Sequence, residues 1–275
     1  MSLLDISFSR IEVDSFLERI DCGITSPSIQ QLSSIVSGII EHIPFQNISM
    51  LTNEWIRPTN KLIKHDMLSG LGGLCTVRNP FLHEFLKCLG YKVRFASSTM
   101  IEPDCHITLI VELDGNDWWV DVGNGYPYME PIMLGDQKEK SNWFMKYKLV
   151  QKSGRYHVYH KINNGDWELN HHFSAKGVDF SAFDRMHHLH YSVPGWGPFL
   201  TGLRVNRFWK NGGAIIRNER ASSPEGTCDL KTDAQLGSWL NKWFTKSGFV
   251  DRVDVSKANF IWKEEKRKWD IANKN

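Results

Sequence analysis

No Cys-x-x-Cys pair occurs in this 275-residue sequence, and its five cysteines, at 22, 75, 88, 105 and 228, are odd in number and widely spaced. Both facts argue against a disulfide framework and against a structural zinc site built on paired cysteines. An excess of either charge is also missing: 33 Lys plus Arg stand against 31 Asp plus Glu, a formal net charge of +2. That balance removes the electrostatic grounds for expecting nucleic acid or an anionic membrane as a partner. No apolar run approaches the roughly 20 residues of a membrane span. Asp5 and Arg10 interrupt the N-terminus before the apolar core of a signal peptide can form. Internal repeats and low-complexity tracts are absent too. The expectation is a cytoplasmic globular protein with reduced thiols, long enough for two domains or three small ones.

What is present changes character along the chain. The first ninety residues read as helical. Val13, Phe16, Leu17 and Ile20 fall at helix spacing before Gly23. Ser26 is a candidate cap for a second helix with Pro27 at its first position and an apolar face from Ile29 to Ile43, closed by Pro44. A loop then leads to Gly70-Leu71-Gly72-Gly73-Leu74-Cys75, after which Phe81, Leu82, Phe85, Leu86 and Leu89 resume the helical period. Asn79-Pro80 either starts that helix or interrupts one that begins nearer Cys75. From Tyr91 the pattern becomes β-rich, with runs at 91–97, 107–113 and 118–122, the last two joined by the hairpin signal Asp114-Gly115-Asn116-Asp117. Further strands are expected at 147–151, 156–162 and 167–173. Consecutive strands at this spacing suggest an antiparallel barrel or sandwich. The Pro- and Gly-rich stretch 192–202 reads as a linker. Beyond it lie strand-like pieces, an amphipathic helix carrying Leu236, Trp239, Leu240, Trp243 and Phe244, and a mixed-charge C-terminal segment expected to be a solvated helix face.

Among the cysteines, Cys75 alone follows a glycine-rich turn near a helix start. Glycines allow close backbone approach, and helix N-terminal N–H groups favour a thiolate over a thiol. The other four are read as small hydrophobes. His106 opens one strand of the 107–122 hairpin and Asp121 ends the other, so the two should meet across it. A carboxylate can then hold the imidazole and leave its second nitrogen for a thiol. His187, His188 and His190, with His171 and His172, lack fixed metal-ligand spacing and are read as surface or core residues on strands or loops. Gly212-Gly213 is read as a hairpin turn, and Arg78 as a solvated surface residue.

These segments together resemble the arylamine N-acetyltransferases over roughly the first half of the chain. Arg19-Ile20 matches the family's early Arg-Ile, and Pro44-Phe45-Gln46-Asn47 is similar to its Pro-Phe-Glu-Asn segment. Gly72-Gly73-Leu74-Cys75 with Asn79 follows its Arg-Gly-Gly-x-Cys-x-Glu-x-Asn motif. His106 with Leu109 matches its histidine strand, and Asp121-Val122-Gly123-Asn124-Gly125 its Asp-Val-Gly-Phe-Gly signature. Pro194 and Phe199 are the best later landmarks. The departures are Leu71 for the motif's arginine, Val77 and Gln46 for glutamates, and Asn124 for the aromatic between the glycines. They indicate a repacked, neutral loop behind the cysteine, and Asn124 leaves the acceptor preference open.

The resemblance implies an α+β fold: a helical bundle carrying the nucleophilic thiol (1–90), an antiparallel β-barrel carrying His and Asp (91–200) and a small α/β lid (201–275). The thiol, His and Asp would be arranged as in a cysteine protease. It implies Cys75, His106 and Asp121 as catalytic residues, Gly123 and Gly125 at the donor site, Phe45 and Asn124 at the acceptor site, and no metal. Acetyl-coenzyme A would be a cosubstrate rather than a permanently bound cofactor, and the acceptor a small aromatic amine or hydrazine. Backbone N–H groups around Cys75 are candidates for an oxyanion hole. Three alternatives share these residues: an amide synthase with another acyl donor, a cysteine hydrolase or transglutaminase-like enzyme, and a catalytically impaired binding homologue.

Overall fold

The computed structural model describes residues 4–244 and 249–274. Helix α1 (Arg10–Arg19) begins where Ser9 and Glu12 cap each other reciprocally, side chain to backbone in both directions. It buries Val13, Phe16 and Leu17. Phe16 packs edge-on against Phe81 and Phe85 at centroid distances of 4.8 and 5.0 Å. Burying such a ring contributes about 2–3 kcal/mol, and Phe16→Ala would cost about 3–5 kcal/mol in this setting.

Helix α2 (Ile29–His42) is capped by Ser28, whose hydroxyl accepts from the Gln31 N–H, so the start falls two residues beyond the expected Ser26 cap. Strand β1 (Phe45–Gln46), short helix α3 (Ile48–Thr52) and helix α4 (Asn60–Leu68) occupy the segment read as a loop. Helix α4 is amphipathic over only two turns, with Ile63, Asp66 and Met67 buried, which leaves little periodic signal. Helix α5 (Cys75–Cys88) is the central helix, buried from Cys75 to Leu86. Of the two placements open for Asn79-Pro80, the structure takes the helix that begins at Cys75, with Pro80 in its second turn.

The eight-stranded antiparallel sheet comprises β2 (Lys92–Thr99), β3 (His106–Leu113), β4 (Asn116–Val120), β5 (Ile132–Met133), β6 (Lys140–Ser141), β7 (Met145–Lys152), β8 (Arg155–Ile162) and β9 (Glu168–Phe173). Its order is β5-β4-β3-β2-β9-β8-β7-β6. The two end strands are consecutive in sequence, so the sheet curls until its edges are one short connection apart, as an incipient barrel does. Strand β3 is buried on both faces: Ile107, Leu109 and Val111 pack with α5, while Ile110 points into the curl with Trp119 and Tyr147. This is the period-2 alternation of a strand between two cores.

Helix α6 (Asp184–Ser192) follows. The second sheet is β1-β10-β11-β12-β13, with β10 (Arg204–Trp209), β11 (Gly212–Arg217), β12 (Arg220–Ser223) and β13 (Gly226–Asp229). Helices α7 (Asp233–Phe244) and α8 (Val255–Ala272) pack with it through Leu236, Leu240, Phe244, Ala258 and Trp262. The hairpin turn of β10–β11 lies at residues 210–211, and Gly212-Gly213 open the strand instead of forming the turn. A Cβ on either would meet the Trp209 or the Phe208 ring. The charged C-terminal segment is the outer face of α8, laced by Glu264–Arg267, Glu265–Lys268 and Lys266–Asp270 pairs.

Strand β1 stitches these parts together. Phe45 and Gln46 pair with Asn206 and Val205 of β10, and Phe45 also bridges to Gly73. Buried Asn47 donates to the carbonyls of Phe199 (2.6 Å) and Gly202 (2.7 Å) and accepts from the Arg204 N–H (2.8 Å).

Candidate active site

Gly72 makes the turn before the cysteine possible. Its φ is +72°, and a Cβ there would lie on the Pro44 carbonyl oxygen. The turn delivers Cys75 as the first residue of α5, where the unpaired N–H groups of a helix start favour negative charge. The β3–β4 hairpin supplies the other two groups. Its tip, Asp114-Gly115, has φ of +51° and +73°, the left-handed pair that a two-residue turn of right twist requires. The register Leu109↔Val120 then places His106 and Asp121 one diagonal apart just past the ladder. His106 Nε2 and Asp121 Oδ2 are 2.6 Å apart, and both side chains are essentially inaccessible.

Asn79 fixes this pair. Its amide donates to the Ile107 carbonyl (2.7 Å) and to Asp121 Oδ1 (2.9 Å), while its oxygen accepts from the Val122 N–H (3.1 Å). The Gly123 N–H also donates to Asp121 Oδ1 at 2.9 Å. A Cβ on Gly123 would fall 2.6 Å from Asn79 Nδ2 and 2.7 Å from Cys75 Cα, so only glycine lets the turn lie against the cysteine.

Cys75 is the third group at the His106 imidazole, and its sulfur favours the charged ring. Burial opposes the imidazolium, but the charge and hydrogen bond of Asp121, with the Cys75 contribution, outweigh it and hold His106 well above its ordinary value. For Asp121 burial likewise opposes the charge, and His106 with Asn79 overcomes it, leaving the carboxyl below its ordinary value. The geometry thus stabilises an imidazolium–carboxylate pair against the sulfur.

Arg78 is not on the surface. It is buried, its Nε bonded to the Val122 carbonyl and its Nη1 to the Ile43 carbonyl, each at 2.5 Å. Burial lowers its pKa to about 9, with the field of Asp121 acting the other way. The first turn of α5 therefore contains a buried cation where a solvated surface residue was expected. Gln46 still joins the departing positions: its amide donates to Ser49 Oγ (2.8 Å) and the Leu71 carbonyl (3.3 Å), and it shares a small void with Val77 and Asp66. The Leu71 side chain turns to the second core, beside Ile48 and Leu203.

A cavity of about 390 Å³ opens over Cys75 and His106, and Phe45, Gly123, Asn124 and Gly125 also line it. Asp121 lies behind His106, outside the lining. No local signal marks Asn170, Arg204, Asn206 and Arg217, which reach the cavity from β9, β10 and β11. The histidine trio sits on helix α6, not on a strand or loop. There His187 bonds the Phe183 carbonyl and His188 faces solvent, whereas His190 lines the cavity between Trp196 and Phe199. His171 is buried with its ring 5.3 Å from that of His106. Burial and then the charge of His106 lower its pKa to about 3.

Among the described residues, one group has metal-ligand proximity: His106, Asp121 and His171, with ligand atoms within 4.8 Å of one another. His106 and Asp121 already use their facing atoms on each other.

A family model described as N-acetyltransferase matches residues 28–245. The chain is 25% identical over 188 residues to proansamycin X synthase of Amycolatopsis mediterranei, covering 64% of this chain and 72% of that protein. It is 28% identical over 141 residues to the arylamine N-acetyltransferase of Escherichia coli, covering 47% of this chain, so it spans about half the length (46%) of that relative. The fold is that of the Salmonella typhimurium arylamine N-acetyltransferase, with a TM-score of 0.82 at 17% identity over 94% of this chain and all of that one. The Mycobacterium marinum arylamine N-acetyltransferase, solved in complex with CoA, superposes with a TM-score of 0.80 at 19% identity over 92% of this chain and 98% of that one. With its cysteine at the head of the central helix and its His–Asp pair on the adjoining hairpin, this chain belongs to the arylamine N-acetyltransferase family.

Proposed function

We propose that the protein transfers an acetyl group from acetyl-coenzyme A to an aromatic amine or hydrazine through a thioester on Cys75, with His106 as acid and base and Asp121 as its orienter. One observation carries the reading: the 2.6 Å His106–Asp121 bond, which Asn79 locks and whose imidazole shares the wall of a cavity with Cys75. The imidazole takes the thiol proton, and the thiolate adds to the acetyl carbonyl. Collapse of the adduct breaks the bond to the coenzyme's sulfur, which leaves with the proton from His106. The acceptor amine then attacks the thioester, loses a proton to the imidazole, and regenerates the Cys75 thiol as the amide departs. N–H groups at the start of α5 face the developing oxyanion.

The donor's phosphates have a counterpart as well. Arg204 and Arg217 are direct cross-strand neighbours on β10 and β11 and line the cavity, and neither pairs with a carboxylate among the described residues. Like charges placed opposite one another are unfavourable alone and suit a bound polyanion. Mass spectrometry of the intact protein after incubation with acetyl-coenzyme A tests the reading. A single acetyl adduct mapping to Cys75 supports it, and no adduct with any acyl-coenzyme A favours a hydrolase or a binding protein. The match to a synthase, proansamycin X synthase, favours a second reading, an amide synthase with another acyl donor. It predicts faster acylation by such a donor than by acetyl-coenzyme A.

A further inference from the structure

Among the described residues, five of the eleven buried polar side-chain atoms without a hydrogen-bond partner belong to four residues that line the catalytic cavity. They are Asn124 Oδ1, Asn206 Oδ1, Trp196 Nε1 and both ring nitrogens of His190. Buried polar groups in folded proteins are almost always paired, so a concentration of exceptions in one cavity points to a ligand that completes them.

The hydrogen bonds define what that ligand must offer. Asn124 Nδ2 donates to Asn170 Oδ1 at 2.8 Å, and Asn206 Nδ2 donates to the Gly125 carbonyl at 2.9 Å. Both amides are thereby oriented, and each presents an oxygen as an acceptor beside Gly125. Burial, followed by the charges of His187 and His106, lowers the pKa of His190 to about 3, so its ring is a neutral imidazole with one donor and one acceptor. The Cys105 backbone favours the imidazolium slightly but stays outside hydrogen-bonding geometry. The rest of the wall, with Phe45, Trp196, Phe199 and Leu169, is apolar and aromatic and fits a ring.

We infer that the acceptor is an aromatic amine bearing further hydrogen-bond donors, such as hydroxyl or carboxamide groups, and that Asn124, Asn206 and His190 read them. This rests on the acyl-transfer reading above. An unsubstituted or alkyl-substituted aniline would fill the aromatic part of the cavity and strand the two amide oxygens. A site built to bond a substrate hydroxyl discriminates strongly against the analogue that lacks it. With solvent still able to reach the mouth, the preference is expected to be about 10- to 100-fold in kcat/KM.

The test uses the whole chain and two donors, acetyl-coenzyme A and p-nitrophenyl acetate, the second having no pantetheine amides or hydroxyls. Aminophenols are compared with the toluidines matched by ring position, whose size and amine basicity are similar. The expected result is an aminophenol preference of about 10- to 100-fold with either donor, which falls to within about threefold in Asn124→Leu. Equal kcat/KM for aminophenols and toluidines in the wild-type protein would overturn the inference without any variant. So would an Asn124→Leu protein that keeps the preference while KM for acetyl-coenzyme A alone rises, since the polar atoms would then serve the donor's pantetheine arm. Failure of either donor to acylate Cys75 would instead sink the underlying acyl-transfer reading.

Discussion

Replacing Arg78 by methionine separates two pictures of the first turn of α5. A solvated surface arginine would cost within about 0.5 kcal/mol to replace. In the structure the guanidinium clamps the Ile43 carbonyl at the end of α2 to the Val122 carbonyl one residue past Asp121. Two charge-assisted bonds of this kind contribute about 1.5–3 kcal/mol each, and methionine would leave both carbonyls unpartnered. Burial of the cation works in the opposite direction, as its pKa near 9 shows, so the lower end of the sum applies. The expected destabilisation is about 3 kcal/mol, or roughly 6–12 °C in melting temperature for a chain of this size. Arg78→Lys should lose less, because the ammonium keeps the charge but cannot bridge both carbonyls. Thermal and urea denaturation of the three proteins measure this directly. A methionine variant that melts at or above the wild-type temperature would refute the clamp and show that the buried cation is a net cost.

Asp121→Asn should fold yet lose about 10³- to 10⁴-fold in acylation rate. The Gly123 N–H and Asn79 amide keep an oxygen at the Oδ1 position, which turns the new NH₂ toward His106 and forces the wrong tautomer; near-normal burst rates with acetyl-coenzyme A would remove Asp121 from the mechanism. Limiting iodoacetamide near neutral pH, followed by peptide mapping, should label Cys75 before the exposed Cys88 and Cys228, and labelling in the order of exposure would contradict the assignment. The His–Asp pair also makes a pH signature. The raised His106 value contributes stability that is full below its unfolded pKa of about 6.5 and is lost as pH rises through the folded value. The lowered Asp121 value contributes stability present above about 3.9 and lost as pH falls through its folded value. The melting-temperature gap between wild type and Asp121→Asn should therefore be widest between about pH 4 and 6.5 and narrow toward alkaline pH; a gap independent of pH would exclude this coupling. Val77→Glu should destabilise by about 3 kcal/mol, because it brings a second carboxyl to the void that already contains buried Asp66, and unchanged denaturation midpoints would show the void to be wetter than described.

The elements that could be read from the sequence are those whose cause is local. The helical spacing of Val13, Phe16 and Leu17, the Asp114-Gly115 turn and the glycine turn before Cys75 each specify their own backbone, and the hairpin register then determines how His106 meets Asp121. Asn79 was legible only as a motif match, since its three partners lie on β3 and on the turn after β4. Arg78 was misread because the carbonyls that bury it are 35 and 44 residues away in sequence. On the polar side of the cavity only Asn124 was marked, and only by its place in a motif. Asn170, His190 and Asn206 come from two strands and a helix, and each looks alone like an ordinary polar residue. Helix α6 lacked a strong apolar stripe because two of its four buried residues are histidines.

The two-residue strand at Phe45–Gln46 has a consequence for how the enzyme is made. Its ladder partners, Val205 and Asn206, leave the ribosome about 160 residues later, and Asn47 must wait for Phe199, Gly202 and Arg204 in the same way. Gly73, two residues before Cys75, is bridged to that same strand. The cysteine loop thus gains this anchor only after β10 has been synthesised. Nascent chains would carry an unset thiol that is slow to capture acyl groups, and the switch to a reactive one would coincide with closure of this long-range pairing.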